Sequence, residues 1–189
     1  MHEDLNLMPV VFEATADAPV GGRLMRWTAK GIGEFADVSG RFQMLGMMSL
    51  GDPNNALYHG CTVDQVAIAV IDPVPFALEL VPRIAPVVQN GTADIRVKIA
   101  RDDGFDKPVR LQFPFRPPGL GARYETVAKP DQDVITHPIS INGKASTGTW
   151  SFYLIGTSNF RGPAWVSTQL GELTIEQPWV TASASALRL

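Results

Sequence analysis

Cysteine is almost absent from this chain of 189 residues. The single Cys61 excludes an intramolecular disulfide and any metal site built from several cysteines. Charged residues form only 19% of the chain and the formal net charge is −3, which gives no electrostatic reason to bind nucleic acid or an anionic membrane. No stretch approaches the ~18 apolar residues of a membrane span, so we expect no insertion into a membrane.

The chain also lacks the marks of a signal peptide and of common enzyme active sites. It begins with the acidic sequence Met1-His2-Glu3-Asp4, where a signal peptide would be basic and would lead into an apolar segment. Any export signal is therefore expected on a longer parent chain. No Gly-x-Ser-x-Gly turn, phosphate-binding loop or histidine-rich metal motif is present, so we expect neither an enzyme nor a bound cofactor.

Apolar residues and residues that turn the chain are what the sequence has in quantity. Apolar types form 45% of it, and 17 glycines and 15 prolines are spread along its length. Such frequent punctuation predicts many short elements, and no stretch carries the stripe of an amphipathic helix, so we expect an all-β fold. The residues that alternation predicts to face the core are Ile95, Val97, Ile99, Val109, Leu111, Phe113, Trp150, Phe152, Leu173 and Ile175.

Residues 74–178 have the organisation of a complete domain. Alternating segments recur there at the spacing of an immunoglobulin-like antiparallel β-sandwich of about seven strands. The predicted strands lie at 76–81, 95–99, 109–113, 123–128, 134–141, 149–157 and 166–177. Residues 179–189, which follow the last strand, are interpreted as a linker or tail.

Residues 1–73 have an ending similar to that of the complete domain. With Gly31 superposed on Gly156, Trp27 falls on Phe152 and the apolar parity of the two segments agrees. Both segments then continue to an apolar strand that is followed by proline. We therefore predict that residues 1–73 are the C-terminal part of a preceding immunoglobulin-like domain, taken from a longer tandem array.

Only three strands are predicted in this first part, at 10–14, 23–29 and 66–71. A long inserted loop, residues 33–64, lies between the last two, and residues 41–48 within it predict a hairpin arm or an extra edge strand. A partial sheet leaves half a core uncovered, so we expect this part to be poorly packed unless it docks against the second domain. The shared ending does not explain the length of the inserted loop, and a specific function is expected there first.

Two phrases of the sequence resemble those of a known family. Residues 103–111, Asp-Gly-Phe-Asp-Lys-Pro-Val-Arg-Leu, followed by Pro-Pro-Gly at 117–119, resemble the "GF-x-x-P-V-x-L…PPG" phrase of tandem immunoglobulin-like domains in large exported bacterial proteins. Residues 12–21 are similar to the phrase before the penultimate strand of the same domains. The resemblance implies an extracytoplasmic, multidomain parent in which such modules act as spacers or adhesion elements, and it brings no catalytic residues.

Aromatic side chains offer one alternative function, the binding of a glycan on exposed rings. Trp165 follows a Gly-Pro pair, Trp179 follows a proline, and Tyr153 lies in a predicted strand. These three residues are the candidate glycan-binding residues. Trp27 and Trp150 have the inward parity of their strands and are expected in the core.

Carboxylates offer a second alternative, a calcium-stabilised adhesin repeat. Asp102, Asp103 and Asp106 form an acidic turn, which Asp131 and Asp133 could join, and Ca²⁺ takes six to eight oxygen ligands. The spacing matches no EF-hand loop, however, and an Asp-Gly pair is also what a hairpin turn requires. The calcium site remains a hypothesis beside the plain turn.

His59, Cys61 and Asp64 lie within one predicted loop and raise the question of a nucleophilic or metal cluster. A catalytic cysteine needs a base that a third group orients and an oxyanion site, which usually come from distant segments. A metal would need at least one more ligand. We interpret the three as incidental loop residues.

The sequence thus predicts a non-catalytic structural, spacer or adhesion module of a larger exported bacterial protein. Its expected partners are the neighbouring domains of the same parent chain, together with a cell-surface glycan or protein where it serves in adhesion.

Overall fold

The computed structural model describes residues 7–15, 17–52, 54 and 57–180, and this part of the chain is all-β. Its only helix is a short 3-10 turn at Gly33–Phe35, and no helix in the described ranges is long and apolar enough to cross a membrane. The strands are β1 (Gly21–Met25), β2 (Thr28–Lys30), β3 (Ser39–Arg41), β4 (Met44–Leu50), β5 (Leu57–Val63), β6 (Val66–Val70), β7 (Phe76–Leu80), β8 (Val87–Val88), β9 (Thr92–Arg101), β10 (Val109–Gln112), β11 (Leu120–Ala122), β12 (Thr126–Ala128), β13 (Val134–Ile141), β14 (Gly148–Phe152), β15 (Ile155–Asn159), β16 (Pro163–Ser167) and β17 (Gly171–Glu176).

The strands fall into two compact units, which we describe separately. Among the described residues, 7–13 and 73–180 form one, here named the C-terminal unit, and 14–72 form the other, the N-terminal unit. The predicted tail is exposed at residues 179 and 180, and its remaining residues lie outside the described ranges.

The C-terminal unit is an immunoglobulin-like β-sandwich, as predicted. One sheet has the strand order β11-β13-β9-β7, and the opposing strands form the sheets β12-β10-β15-β16 and β14-β17-β8. Side chains from all three sheets enclose a single hydrophobic core. The prediction of the core of this unit is confirmed for ten residues, which are all buried: Ile95, Val97, Ile99, Val109, Leu111, Phe113, Trp150, Phe152, Leu173 and Ile175. Trp27, which was also expected in a core, is only half-buried.

The residues of the GF…PPG phrase have structural roles in this unit. Gly104 takes a positive φ of 83° in the turn that leads to Phe105. The Phe105 ring is buried and stacks on Phe76 with a centroid distance of 5.4 Å. Gly119 has φ of 80°, and a Cβ there would lie 2.6 Å from the Ala145 Cα, so two independent constraints favour glycine.

Two long predicted strands are each divided. The predicted strand 149–157 is β14 and β15, and the predicted strand 166–177 is β16 and β17. Thr168 lies in the break between β16 and β17 and is fully buried. Its amide donates to the Leu154 carbonyl at 2.9 Å and its Oγ1 accepts from the Leu154 amide at 3.1 Å. The first of these bonds continues the β15–β16 ladder, and in the second the Thr168 side chain takes the place of its backbone carbonyl, at the point where that ladder ends.

Two further strand predictions needed correction. The predicted strand 123–128 is the shorter β12, preceded by β11, because residues 123–125 leave the ladder between them. The two-residue β8, which pairs in parallel with β17, was not predicted. Pro86, immediately before β8, cannot donate to a ladder, so only the tertiary structure reveals this short strand.

The N-terminal unit consists of three two-stranded ladders, β1–β6, β2–β3 and β4–β5. The β4–β5 ladder is the hairpin arm that was one of the two alternatives for residues 41–48. Among the residues of this unit whose side-chain exposure the structure describes, none is buried. The predicted strand at 10–14 is wrong, because these residues are in extended or irregular chain without a ladder. Alternation of apolar and polar residues is not sufficient for a strand, which also needs the ladder hydrogen bonds of a neighbouring strand.

Candidate functional site

A surface groove of the C-terminal unit lies on the outer face of the sheet that contains β10, β15 and β16. Trp165 on β16 forms one wall and is 64% exposed. Strand alternation explains its orientation, because the preceding Ala164 is buried. The groove encloses about 420 Å³, and the other residues that line it are Lys107, Pro108, Arg110, Gln112, Thr157, Ser158, Asn159 and Pro163.

Charged and polar groups surround the exposed ring. The Arg110 guanidinium forms an ion pair with Glu125 at 2.7 Å, and the Lys107 amino group lies 3.3 Å from the Asp106 carboxylate. The Ser158 hydroxyl donates to the Pro108 carbonyl at 2.8 Å. An aromatic ring beside amide, hydroxyl and cationic groups suits a ligand with both apolar faces and hydroxyl or carboxylate groups. The sequence indicated Trp165 but not its neighbours, although the outward parity of Arg110 was a signal for one of them.

The other two candidate glycan-binding residues do not line this groove. Trp179 follows β17, is 69% exposed, and its indole nitrogen donates to the Glu176 carboxylate at 2.7 Å. Tyr153 is half-buried at the break between β14 and β15. The three rings therefore lie in three different parts of the unit. Aromatic stacking of a ligand in this groove would depend on Trp165 alone.

The candidate calcium residues lie on an exposed turn. The Phe105 amide donates to the Asp102 carbonyl at 3.0 Å, which closes the turn, and Asp102, Asp103 and Asp106 are all exposed. Within the described ranges, no three His, Cys, Asp or Glu residues are grouped so that they could hold a metal ion.

Of the three residues predicted to lie in a loop, only Asp64 does, in the connection between β5 and β6. His59 and Cys61 lie within β5, opposite Met48 and Gly46 of β4. The Asp64 carboxylate accepts a hydrogen bond from the Arg26 Nε at 3.1 Å. The loop prediction was wrong for His59 and Cys61, because the inserted segment folds as a hairpin and gives these two residues ladder positions.

One titratable side chain is buried in the C-terminal unit. His137 on β13 is fully buried, its Nδ1 lies 2.8 Å from the Thr126 hydroxyl, and its ring packs edge-on against Phe113. Burial lowers the pKa of His137, and the positive charges of Arg116 and Arg123 lower it further, while the Arg123 backbone acts in the opposite sense. The site is enclosed, so this histidine is part of the core.

The N-terminal unit presents apolar side chains to solvent on both faces of its β4–β5 hairpin. Met44 and Met48 alternate with Leu45 and Met47, so the two pairs lie on opposite faces, and all four are more than half exposed. Contiguous exposed apolar surface usually marks a place where a protein contacts a partner. Within residues 33–64, where a specific function is expected, the β4–β5 hairpin is the part that exposes this apolar surface.

Two surface features thus combine exposed apolar side chains with access for a partner: the groove around Trp165 and the β4–β5 hairpin of the N-terminal unit. Comparison of the chain with protein-family models finds no match, and comparison with curated proteins finds none either.

Proposed function

We propose that the chain is a non-catalytic structural module, a spacer or adhesion element built of immunoglobulin-like units in tandem, within a larger exported bacterial protein. The observation that supports this most directly is the pairing of β8 with β17. These strands are parallel, with Val87 opposite Ile175 and Val88 opposite Glu176. The Gln89 amide extends the pairing by donating to the Glu176 carbonyl at 2.9 Å.

The parallel pairing has a mechanical consequence. Tension on the chain pulls β8 towards its preceding residue and β17 towards its following residue. In a parallel pair these two forces are opposite and act along the strands, so the hydrogen bonds between them are loaded together rather than one after another. A module that joins other domains under load benefits from such an arrangement.

Single-molecule pulling of the chain from its two ends tests the proposal. Gln89→Pro removes the amide that donates to Glu176 and also the side chain, whose Nε2 donates to the Ala145 carbonyl at 2.7 Å. Gln89→Ala removes only the side chain and is the matched control. We expect the unfolding force of the C-terminal unit to fall further in the proline variant than in the alanine variant. Equal forces in the two variants would contradict a mechanical role for the β8–β17 pairing.

Glycan binding is the second candidate function, and the groove around Trp165 favours it. Lys107 and Arg110 line the same groove, so the ligand class that fits best is an acidic polysaccharide. In this case the module would attach its parent protein to a surface rather than only separate other domains.

A further inference from the structure

The two units have a ladder of the same form near their ends. In the N-terminal unit β1 pairs with β6 over five residue pairs, from Gly21 opposite Val70. In the C-terminal unit β14 pairs with β17 over five residue pairs, from Gly148 opposite Ile175. Val70 and Ile175, the residues opposite these glycines, each lie three positions before a proline. The register therefore places Gly21 on Gly148, two residues from the superposition that apolar parity suggested.

Backbone hydrogen bonds elsewhere follow the same correspondence. The Trp27 carbonyl accepts from the Phe42 amide at 2.9 Å, as the Leu154 carbonyl accepts from the Thr168 amide. In both units the second strand begins three residues after the first one ends. The strands β1, β2, β3 and β6 thus correspond to β14, β15, β16 and β17, and the β4–β5 hairpin takes the place of the short connection between β16 and β17.

The corresponding strands differ in their neighbours. In the C-terminal unit β10 pairs antiparallel with β15, with Leu111 opposite Gly156, and β8 pairs in parallel with β17. In the described part of the N-terminal unit, β2 pairs only with β3 and β6 only with β1. The edges of β2 and β6 that correspond to the occupied edges have no strand beside them there.

Side-chain burial shows the same difference. Phe152 and Leu173 are 4% and 1% exposed. Their counterparts in the N-terminal unit are Met25, which is 38% exposed, and Ile68, which is half-buried. These positions are covered by other strands, β8 and β10 among them, in the C-terminal unit. In the N-terminal unit the corresponding positions are accessible to solvent.

We propose that the N-terminal unit is an acceptor for an added β-strand. This inference rests on the proposed function of the chain as a module that contacts other domains. The occupant is an extended polypeptide segment with apolar residues at alternate positions, patterned like Val109–Gln112. It pairs antiparallel with the free edge of β2, in the register that β10 adopts on β15. Main-chain hydrogen bonds then supply affinity, and alternate side chains fill the open face.

Charge defines the occupant further. Arg110 of β10 lies opposite Thr157, and the counterpart of Thr157 in the N-terminal unit is Lys30. Directly opposed residues of adjacent strands share a face, and like charges in such pairs are destabilising. The outward residue of the occupant opposite Lys30 is therefore acidic rather than basic.

Peptide binding to the full chain tests the proposal. The probe is a labelled peptide with the sequence of residues 104–116 and the change Arg110→Glu. We expect it to bind about two- to fivefold more tightly than the unchanged peptide, which is the effect of one cross-strand charge pair. The Trp27 carbonyl points towards β3, so the amides of residues 28 and 30 point away from β3, towards the free edge. Hydrogen exchange of these two amides should therefore slow when the peptide binds. A peptide with Arg110→Pro and Gln112→Pro lacks two donors and should not bind.

Two protein variants locate the binding edge. Thr28→Pro removes an amide on the free edge of β2 without removing a hydrogen bond to β3, whereas Thr28→Val keeps the amide. We expect loss of binding in the first and binding in the second. Unchanged binding to the proline variant, or absence of slowed exchange at residues 28 and 30, would overturn the proposal. Self-association of the chain that the peptide fails to displace would also overturn it, by making a second copy the occupant. None of these three outcomes would change the result of the pulling experiment on the β8–β17 pairing, which tests the proposed function separately.

Discussion

A matched pair of core truncations measures how far the two units differ in packing. Leu173 on β17 and Ile68 on β6 each lie five residues before a proline and pair with corresponding residues, Trp150 and Arg23. Leu173→Ala removes three carbons that are 1% exposed. At ~0.8 kcal/mol for each carbon the transfer cost is roughly 2.4 kcal/mol, and the cavity raises the expected total to about 3–5 kcal/mol.

The same truncation at Ile68 should cost much less. This side chain is already half-buried rather than sealed, so about half of the transfer cost applies, roughly 1 kcal/mol, and no closed cavity forms. Hydrogen exchange of the β17 and β6 amides reports the free energy of opening of each unit separately. Equal losses in the two variants would refute the reasoning, because they would mean that Ile68 lies in a closed core in solution.

Two further results are expected from side chains of the C-terminal unit. The lowered pKa of His137 means that the unfolded chain takes up a proton that the folded chain does not, so the free energy of unfolding should decline as the pH falls below about 6.5, by at most about 1.4 kcal/mol per pH unit. Chemical denaturation between pH 7 and pH 5 should show a smaller decline in His137→Gln, and an identical decline would assign the pH dependence to other groups. If the Trp165 groove binds an acidic polysaccharide such as polygalacturonate, Trp165→Ala should weaken binding at least about 30-fold, as loss of a dominant aromatic contact does. Trp179→Ala, which changes an exposed ring outside the groove, should leave affinity unchanged in the same titration, and equal effects would remove the groove from consideration.

The sequence predicted best those strands that bury one face. In β9 and β10, alternate residues such as Val97 and Leu111 are fully buried while Arg96 and Arg110 are exposed, so period-two alternation was a direct signal. The division of the last strands could not be predicted, because it depends on hydrogen bonds between Thr168 and a residue fourteen positions away. These bonds depend on the pairing of β15 with β16, which the spacing of the two residues along the sequence does not specify.

The candidate site was less predictable than the fold. A Gly-Pro pair before Trp165 indicated an exposed ring, but the groove also needs Arg110 from β10 and Thr157 from β15. These strands become neighbours through antiparallel pairing, with Arg110 opposite Thr157. Sequence spacing carries no information about that adjacency, so an aromatic residue could be named without its polar neighbours.

The N-terminal unit shows what local pattern specifies and what it leaves open. β6 alternates between half-buried and exposed residues with the same period as β17, so both sequences encode a strand with one apolar face. Burial of that face depends on further strands, which β17 has in β8 and in the opposing sheet. Where the described residues provide no such strands, the same alternation leaves Ile68 and Met25 accessible. A segment that has the alternation of a half-buried strand but lacks the strands that would cover its apolar face therefore indicates an interface. The free edge of β2 offers the backbone hydrogen-bonding groups with which a partner strand would pair.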